Sequence, residues 1–521
     1  MTDIIIYGGT SAGVVAGLQA ARMNKSVLII EPGQRIGGLT TGGLGETDIG
    51  NKAAIGGISR EFYQRLKRYY EDLSNWKWQK PAEENNLGEQ GQTQAGEDAM
   101  WKFEPSAAWH VFHEMLDEAG VTVAYGERLN RPSGVKMDGE RILSITMDSG
   151  KTFCGKMFID ATYEGDLMAA AGVRFHVGRE ANSVYGETLN GVQTREAKFH
   201  QFQRGVDPYI VKGVPTSGLL PGIDPDGPGQ EGDGDHRMQA YCFRMCLTDH
   251  PKNRIPFHKP EGYKDSDYEL LFRNFEAGET QVPWINSPMP NCKTDTNNSL
   301  GFSSDFIGQN YRFPEGTYAE REEIFRKHLE YQQGFMWALA YHPRVPEPIR
   351  KEVSRWGMCQ DEFTENQGWQ TQLYIREARR MVSDLVMTQR HCQGQIVVED
   401  PVGLAAYVMD SHHVQRYVDP EGCVRNEGDV EVKIFPPYPI SFRSIVPRRS
   451  ECGNLLVPVC LSASHIAYGS IRMEPVFMVL GQSAATAAAL AIDESCPVQE
   501  IGYSQLKDRM RADQQKLIWE Q

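Results

Sequence analysis

Residues 3–31, DIIIYGGTSAGVVAGLQAARMNKSVLIIE, decide the fold. A β-branched run that ends at Tyr7 predicts a buried parallel strand, and the apolar run over residues 26–30 predicts a second one. Between them, residues 14–23 have helical spacing and many small side chains. These parts form a strand–helix–strand unit of about 30 residues, which predicts an α/β fold built on a parallel sheet.

The turn between the first strand and the helix predicts a dinucleotide site. Gly8 and Gly13 match the first and third glycines of a G-x-G-x-x-G turn, and Thr10 replaces the second. Glu31 lies close to the ~20 residues beyond the last glycine at which an acid binds the ribose diol and repels a 2′-phosphate. A purely structural turn is the alternative. The residues expected at the phosphates, near the helix N-terminus, are Gly8, Thr10, Ser11, Ala12 and Gly13.

The glycine-dense loop after Glu31 indicates which dinucleotide is bound. Residues 32–43 read PGQRIGGLTTGG, and a nicotinamide domain needs no such loop at this place. The loop resembles that of glutathione-reductase-like FAD proteins, in which it follows the FAD phosphates toward the flavin. A flexible surface loop is the alternative. The loop residues expected to contact FAD are Arg35, Gly38, Leu39, Thr41 and Gly43.

Two later segments resemble further cofactor-binding parts of the same superfamily. Residues 156–166 resemble its A-T-G turn, with Ala161 and Thr162 in place and Tyr163 where glycine is usual. Near the C-terminus an apolar strand precedes Ser470 and a helix that begins at Pro475. In this superfamily a late helix points its N-terminus at the flavin and stabilises negative charge there. The segments therefore add Ala161, Thr162, Ser470 and Pro475 to the expected FAD contacts.

Most of the chain resembles the FAD-dependent oxidoreductases often labelled xanthan lyase-like. The matching stretches include QAYCFR from residue 239, KTDTNN from 293, LYIREARRM from 373, MDSHH from 409 and SHIAYGSIR from 464. The resemblance implies a Rossmann-type, glutathione-reductase-like FAD domain that is discontinuous, with an inserted α+β substrate domain. We expect residues 1–178 and 430–521 to form the FAD domain and residues 179–429 the insert. Helices are expected over residues 318–339 and 372–387, the second with a charged, solvated face.

Composition limits the partners. The 521 residues carry 54 Lys and Arg against 69 Asp and Glu, a net charge of −15, which argues against nucleic acid and anionic membranes. The ten cysteines form no Cys-x-x-Cys pair and no signal peptide is visible, so we expect a cytoplasmic protein. The acids of residues 218–235 are interrupted by Pro225 and Pro228, so no metal site is expected. A small-molecule substrate is expected, and a homodimer is compatible with the sequence.

Five residues are candidates for the chemistry. Oxidation of an alcohol requires hydride transfer to the flavin N5 and removal of the hydroxyl proton, for which histidine is the usual base near neutral pH. At most one of the adjacent His412 and His413 is expected to be catalytic, because neighbouring side chains diverge. Arg443 and Arg472 could bind a substrate carboxylate or stabilise the charge of the flavin, or they could form ordinary salt bridges. The candidates are His465, His412, His413, Arg443 and Arg472.

The sequence therefore predicts an FAD-dependent oxidoreductase that takes a hydride from a small polar alcohol, a carbohydrate or a sugar acid. A lyase or isomerase that acts on a polysaccharide-derived substrate without net redox change is one alternative. A flavin-dependent amine oxidase is a second. The charge of −15 weighs against a flavin-dependent RNA-modifying enzyme, and a non-enzymatic FAD-binding module fits the polar insert poorly.

Overall fold

The computed structural model describes residues 2–84, 91–93, 96–434 and 436–520. Its strands are β1 (Thr2–Tyr7), β2 (Val27–Glu31), β3 (Thr122–Tyr125), β4 (Val135–Asp138), β5 (Arg141–Thr146), β6 (Thr152–Asp160), β7 (Phe175–His176), β8 (Met245–Thr248), β9 (Arg254–Ile255), β10 (Trp284–Met289), β11 (Lys293–Asn298), β12 (Gly357–Cys359), β13 (Arg380–Met381), β14 (Pro401–Ala405), β15 (Met409–Ser411), β16 (Gln415–Val418), β17 (Val424–Glu427), β18 (Val430–Val432), β19 (Tyr438–Ser441) and β20 (Leu455–Leu456). Its α-helices are α1 (Ser11–Arg22), α2 (Gly38–Thr41), α3 (Gly57–Glu71), α4 (Pro105–Ala119), α5 (Asp166–Ala170), α6 (Asn182–Tyr185), α7 (Glu269–Glu276), α8 (Tyr318–Tyr341), α9 (Glu347–Val353), α10 (Gln389–Cys392), α11 (His465–Ile471), α12 (Glu474–Glu494) and α13 (Tyr503–Ala512).

The opening unit forms the centre of a seven-stranded sheet. The strand order is β3-β2-β1-β6-β5-β4, and β20 pairs with the C-terminal end of β6. Strands β3, β2, β1, β6 and β20 run parallel, while β5 and β4 add an antiparallel edge. Ile4 lies between Val27 and Met157 in this register. Ile4 is fully buried, as expected for a parallel strand covered on both faces. The predicted α/β, Rossmann-type fold is confirmed.

Helices α1 and α12 pack on one face of this sheet and on each other. Gly481 lets them approach closely, because a Cβ atom there would collide with the carbonyl oxygen of Ala12. Helix α12 is long and apolar enough to span a membrane, with a mean hydropathy of 1.6 over its 18-residue window. However, 89% of that window is buried inside the protein. The helix is therefore the central core helix of the cofactor domain.

The middle of the chain forms a second layer with its own core. Its five-stranded antiparallel sheet has the order β10-β11-β8-β12-β9. Helix α8 packs against it and begins with a capping box, in which Thr317 and Glu320 satisfy each other's backbone N–H groups. Phe335 and Leu339 on this helix are buried in the second core. The helix predicted over residues 318–339 is confirmed at Tyr318–Tyr341.

The helix predicted over residues 372–387 is wrong. In this segment the structure assigns only the short strand β13, which pairs with β7. Its arginines are buried and not solvated: Arg376 pairs with Asp305 at 2.9 Å, and Arg380 pairs with Glu180 at 2.9 Å. Helical propensity is a weak preference, and these buried ion pairs to distant parts of the chain override it.

Part of the segment expected to be the insert packs on residues expected to form the FAD domain. Strand β14 already pairs with β19 and packs against α12. Met387 donates its N–H to Ser462 O at 2.9 Å, next to the last cofactor strand. Residues 380–411 therefore pack with residues expected to form the FAD domain, whereas Val424 on β17 is part of the second core.

Candidate cofactor and active site

A cavity of about 390 Å³ opens where β1, β2 and β6 end. The carboxyl ends of parallel strands meet at one edge of a sheet, which is where α/β proteins bind ligands. Helix α8 and the segment around Leu373 form the opposite wall. The predicted cofactor residues that line this cavity are Gly8, Thr10, Glu31, Arg35, Gly38 and Thr162.

The glycine turn is shaped by close backbone approaches. Gly8 has a φ of +102°, and a Cβ atom there would lie 2.8 Å from Thr162 N. A Cβ atom on Gly13 would collide with the carbonyl oxygen of Gly8. Thr10 caps α1: its Oγ1 accepts from Gly13 N at 3.3 Å and donates to Ala161 O at 2.6 Å. The hydroxyl at the second glycine position thus fastens the turn to β6 and leaves the first N–H groups of α1 without helical partners.

Glu31 is held by two backbone amides at the end of β2. Its Oε2 accepts from Gly9 N at 2.7 Å, and its Oε1 accepts from Gly33 N at 2.6 Å. Burial raises the pKa of Glu31 to about 7, although both amide contacts favour the charged form. Each carboxylate oxygen has a second lone pair, so the fixed carboxyl group can also accept from the hydroxyls of a ribose in the cavity.

Glu474, at the start of α12, connects three of the predicted cofactor segments. It is 2% exposed, and its Oε2 accepts from Ser11 Oγ at 2.6 Å and from Thr40 Oγ1 at 2.8 Å. Its Oε1 accepts from the hydroxyl of Tyr163 at 2.7 Å. Burial raises the pKa of Glu474, and the three hydroxyls oppose that rise. Sequence reasoning placed the neighbouring Pro475 in the site and missed Glu474.

The contacts of Tyr163 account for a tyrosine at a position where the A-T-G turn usually has glycine. Its hydroxyl accepts from Leu39 N at 2.9 Å and donates to Glu474. A Cβ atom on Gly38 would collide with the hydroxyl oxygen of Tyr163, so Gly38 has no room for a side chain. The bulky residue on the A-T-G-like turn and the glycine on the preceding loop are therefore complementary.

The remaining predicted FAD residues lie around the cavity or behind it. Arg35 donates from Nε to Thr41 O at 2.9 Å, and Thr41 Oγ1 donates to Ile36 O, which folds the loop on itself. Gly43 leaves room for the carbonyl of Arg244. Ser470 is fully buried and donates to Tyr407 O at 2.6 Å, outside the cavity lining. Ala12 and Pro475 are buried in the helix contact, also outside that lining.

A charged cluster surrounds Tyr374, which lies in the chain between the cavity-lining residues Leu373 and Ile375. Its ring lies 4.5 Å from the guanidinium carbon of Arg376, and its hydroxyl accepts from Arg472 Nη1 at 3.0 Å. Each arginine has an acidic partner, with Arg244 bound to Asp295 at 2.7 Å and Arg472 to Asp410 at 3.1 Å. The members of this Tyr374 cluster are Asp48, Arg244, Asp295, Asp305, Tyr374, Arg376, Asp410, His412 and Arg472.

His412 is the histidine that the fold directs into the Tyr374 cluster. Its Nδ1 lies 2.8 Å from Asp305 Oδ2, and its Nε2 lies 3.7 Å from Asp410 Oδ2, beyond hydrogen-bond distance. Burial would raise the pKa of Asp305, but Arg376 and His412 lower it below its ordinary value. Burial likewise would raise the pKa of Asp410, but His412 and Arg472 bring it down to about 2. Both carboxylates are therefore charged, and Asp305 fixes Nδ1–H so that Nε2 is the nitrogen left to accept a proton.

The other predicted catalytic residues lie in different surroundings. His465 is 2% exposed, with Nδ1 on Glu377 at 2.9 Å and Nε2 on Ser411 Oγ at 2.9 Å, so both ring nitrogens are occupied. His413 points to the backbone carbonyl of Phe199, and burial lowers its pKa to about 3. Arg443 is half exposed and pairs with Asp400 at 3.1 Å on the surface. Of the five candidates, the structure brings only His412 and Arg472 into the Tyr374 cluster.

Two residues that sequence reasoning missed also face this region. Burial raises the pKa of Asp48 to about 6, although the positive charge of Arg244, whose Nη1 lies 3.6 Å from Asp48 Oδ2, lowers it. Gln370 is fully buried beside Gly43, and neither its Oε1 nor its Nε2 has a partner among the described residues. An orphaned amide at the inner end of the loop fits the polar edge of a flavin ring. No local motif marks either residue.

One group of side chains has the composition of a metal site. His200, Asp429 and Glu431 bring their ligand atoms within 4.8 Å of one another. However, Leu300 N donates to His200 Nδ1 at 3.1 Å, so the proton of the neutral ring sits on Nε2. Nε2 lies 3.7 Å from Glu431 Oε1 and faces it as a donor. The group is thus arranged as an acid–histidine contact.

These features fit FAD: a cavity at the strand ends, an α1 N-terminus beside it, a fixed Glu31 and an orphaned Gln370 further along. The family described as FAD dependent oxidoreductase matches residues 3–510. The chain belongs to this family of flavoenzymes, and its cofactor is FAD. No curated protein matches the chain significantly.

Solved structures share only part of this fold. An aromatic hydroxylase from angucycline biosynthesis, CabE, is 14% identical, with a TM-score of 0.24 over 34% of this chain and 35% of its own. L-proline dehydrogenase from P. horikoshii is 15% identical, with a TM-score of 0.24 over 34% of this chain and 58% of its own. Thioredoxin reductase from Lactococcus lactis is 17% identical, with a TM-score of 0.18 over 31% of this chain and 35% of its own. The chain thus spans about a third of the hydroxylase and reductase lengths, and these likenesses give no information on the substrate.

Proposed function

We propose that this FAD-dependent oxidoreductase dehydrogenates a small, hydroxyl-rich alcohol, such as a carbohydrate, at the Tyr374 cluster. The observation that carries the proposal is the His412–Asp305 contact of 2.8 Å, which holds Nδ1 and leaves Nε2 facing Asp410 Oδ2 at 3.7 Å, beyond hydrogen-bond distance. A histidine oriented by a carboxylate is a suitable base for a hydroxyl proton. FAD, when bound, supplies the acceptor for the hydride.

The balance of charge supports an uncharged substrate. Arg244, Arg376 and Arg472 are each paired with a buried or half-buried carboxylate at 2.7–3.1 Å. A guanidinium that is already paired offers little additional attraction to a substrate carboxylate. It still presents N–H groups, and the carboxylates present acceptors, so the cluster matches a chain of hydroxyl groups. A sugar acid is the less favoured member of the same substrate class.

The residues of the site then have distinct roles. His412 accepts the hydroxyl proton at Nε2, and Asp305 holds the ring and stabilises its charged form. Arg472 orients Tyr374 through a 3.0 Å hydrogen bond next to the start of α12. Asp48, whose pKa is about 6, is an acid in this cluster that can exchange a proton near neutral pH.

Reduction of the bound flavin tests the proposal. The purified, FAD-loaded protein is mixed anaerobically with neutral sugars and polyols, sugar acids, and primary amines, and the flavin absorbance is followed. We expect bleaching by neutral sugars or polyols. Bleaching by amines alone contradicts the proposal, and so does product formation from a polysaccharide without bleaching, which identifies a lyase or isomerase.

The variant His412→Asn tests the assigned base. We expect the rate of flavin reduction to fall ~10²–10⁴-fold, the usual contribution of a general base, with FAD content unchanged. The lost rate is expected to recover in part as pH rises, because hydroxide can replace the base. His258→Asn is the matched control, since His258 is exposed on the insert. Equal rates in both variants would remove His412 from the mechanism.

A further inference from the structure

Arg416, on β16, is unusual among the buried arginines of the described chain. Nine arginines are at most 7% exposed, and eight of them pair with a carboxylate within 4.0 Å. Arg416 is 3% exposed and has no such pair among the described residues. Its Nε and Nη2 have no hydrogen-bond partner there either. Burial of an unpaired guanidinium is costly, which points to an anion that completes it.

A separate cavity of about 270 Å³ lies beside this guanidinium. It is in the insert, and none of its lining residues belongs to the Tyr374 cluster or to the cavity at the strand ends. Phe306, which lines it, directly follows Asp305 in the chain, so one backbone segment contributes a residue to each site. The flavin reaction proposed above uses none of these lining residues.

The walls of this second cavity are aromatic. Tyr263 and Tyr268 stack at 4.9 Å between ring centroids with an interplanar angle of 7°. Phe306 and Tyr331 stack at 4.0 Å with an angle of 7°. Parallel rings of this kind present flat faces to a ring-bearing ligand. The guanidinium of Arg416 also lies 4.9 Å from the ring centroid of Phe302, which fixes its position in the wall.

The rim adds polar groups around the opening. Lys327, whose side chain is 57% exposed, supplies a second positive charge. Asp267 and Glu330 also line the cavity and can accept from hydroxyl groups. A buried arginine below, aromatic walls and a lysine at the rim match a carboxylate attached to a ring, because the guanidinium fork fits a carboxylate.

We propose that this pocket, defined by Arg416, Tyr263, Tyr268, Phe306, Lys327 and Tyr331, binds a small ring-bearing carboxylate at a site separate from the flavin. Such a ligand is either an aromatic acid or a pyranose acid. The carboxylate lies on Arg416, and the ring lies against the tyrosine and phenylalanine faces.

Calorimetric titration of the FAD-loaded protein tests the pocket and distinguishes the two ligand sources. The probes are benzoate and glucuronate, with benzamide and glucose as their uncharged counterparts and inorganic phosphate as a ringless anion. We expect saturable binding of benzoate or glucuronate, and at least tenfold weaker binding of the uncharged counterpart and of phosphate. Absence of saturable binding by both acids overturns the proposal, as does equal binding of the uncharged counterpart or of phosphate.

Variants assign the binding to Arg416. Arg416→Met is expected to weaken the carboxylate affinity at least tenfold and to raise the melting temperature of the ligand-free protein, because it removes an unpaired buried charge. Arg195→Met, at an exposed arginine of the insert, is the matched control and leaves both unchanged. If Arg416→Met does not fold, Lys327→Glu at the exposed rim replaces it and is expected to weaken binding severalfold. Unchanged carboxylate affinity in the variant used overturns the proposal.

Discussion

Replacement of Glu474 by alanine tests the connection between the cofactor segments. The change removes a buried carboxyl group that accepts hydrogen bonds from Ser11, Thr40 and Tyr163 at 2.6–2.8 Å. A hydrogen bond to a charged group contributes ~1.5–3 kcal/mol, and the cost of burying the carboxylate offsets part of the total. We therefore expect a loss of about 3–5 kcal/mol in the free energy of unfolding, the range seen when a buried polar network loses one member.

The same change should weaken FAD binding, because Ser11 begins α1 and Thr40 lies in α2, on the loop that follows Glu31. If only ~1.4 kcal/mol of this loss is also lost from the free energy of FAD binding, the Kd for FAD rises tenfold. The assay is thermal denaturation together with the FAD:protein ratio after gel filtration. Glu474→Gln is the control: it keeps the volume and one acceptor, and the hydroxyls can turn to accept from its amide, so a cost of about 1 kcal/mol is expected.

Unchanged melting temperature and FAD content in Glu474→Ala would refute this reasoning. It would mean that the hydroxyls of Ser11, Thr40 and Tyr163 find other partners without loss, and that the start of α12 does not organise the cofactor segments. A loss of stability with full FAD retention would refute only the claim that the start of α12 organises the cofactor segments.

Three further changes have defined outcomes. Glu31 has a pKa of about 7 in the folded protein against an ordinary value of 4.5, so between these pH values the folded apoprotein holds a proton that the unfolded chain releases. The free energy of unfolding therefore falls as pH rises from about 4.5 to 7. Glu31→Gln should reduce that fall by about 3 kcal/mol in denaturant unfolding, and an unchanged pH profile would contradict the burial of this carboxyl group. Gly13→Ala places a Cβ atom against the Gly8 carbonyl and should abolish FAD retention, whereas Gly139→Ala, in an open turn at φ +55°, is expected to cost only about 1 kcal/mol and to keep the flavin. Arg443→Ala, at a half-exposed ion pair with Asp400, should change the unfolding free energy by less than about 1 kcal/mol and leave flavin reduction unchanged, and a loss of activity would return Arg443 to the site.

Local spacing was sufficient to predict the turn at the strand ends and the acid beside it. Gly8, Gly13 and Glu31 belong to one strand–helix–strand unit of about 30 residues, in which each position has a geometric reason. The family match and the sheet confirm the α/β, FAD-binding fold that follows from this unit. The late helix was also predictable, because small residues at Gly481 and its neighbours are required for the close contact with α1.

The Tyr374 cluster could not be predicted in the same way. Asp48, Asp305, Tyr374, His412 and Arg472 come from five separate segments, and only the folded chain brings them together. Their ion pairs compete with local propensity, so the stretch around Tyr374 looked helical and is not. The sequence marked His465 as strongly as His412, and only the hydrogen bonds of the ring nitrogens distinguish them.

Anaerobic flavin reduction is the measurement that tests the central claim most directly. The FAD-loaded wild-type protein and His412→Asn are each mixed with a saturating neutral sugar or polyol, and the flavin absorbance is recorded over time. We predict rapid bleaching of the wild-type flavin and bleaching at least 10²-fold slower in the variant, with equal FAD content. A flavin that no sugar or polyol reduces, or equal rates in the two proteins, would contradict the claim that the Tyr374 cluster oxidises an alcohol with His412 as its base.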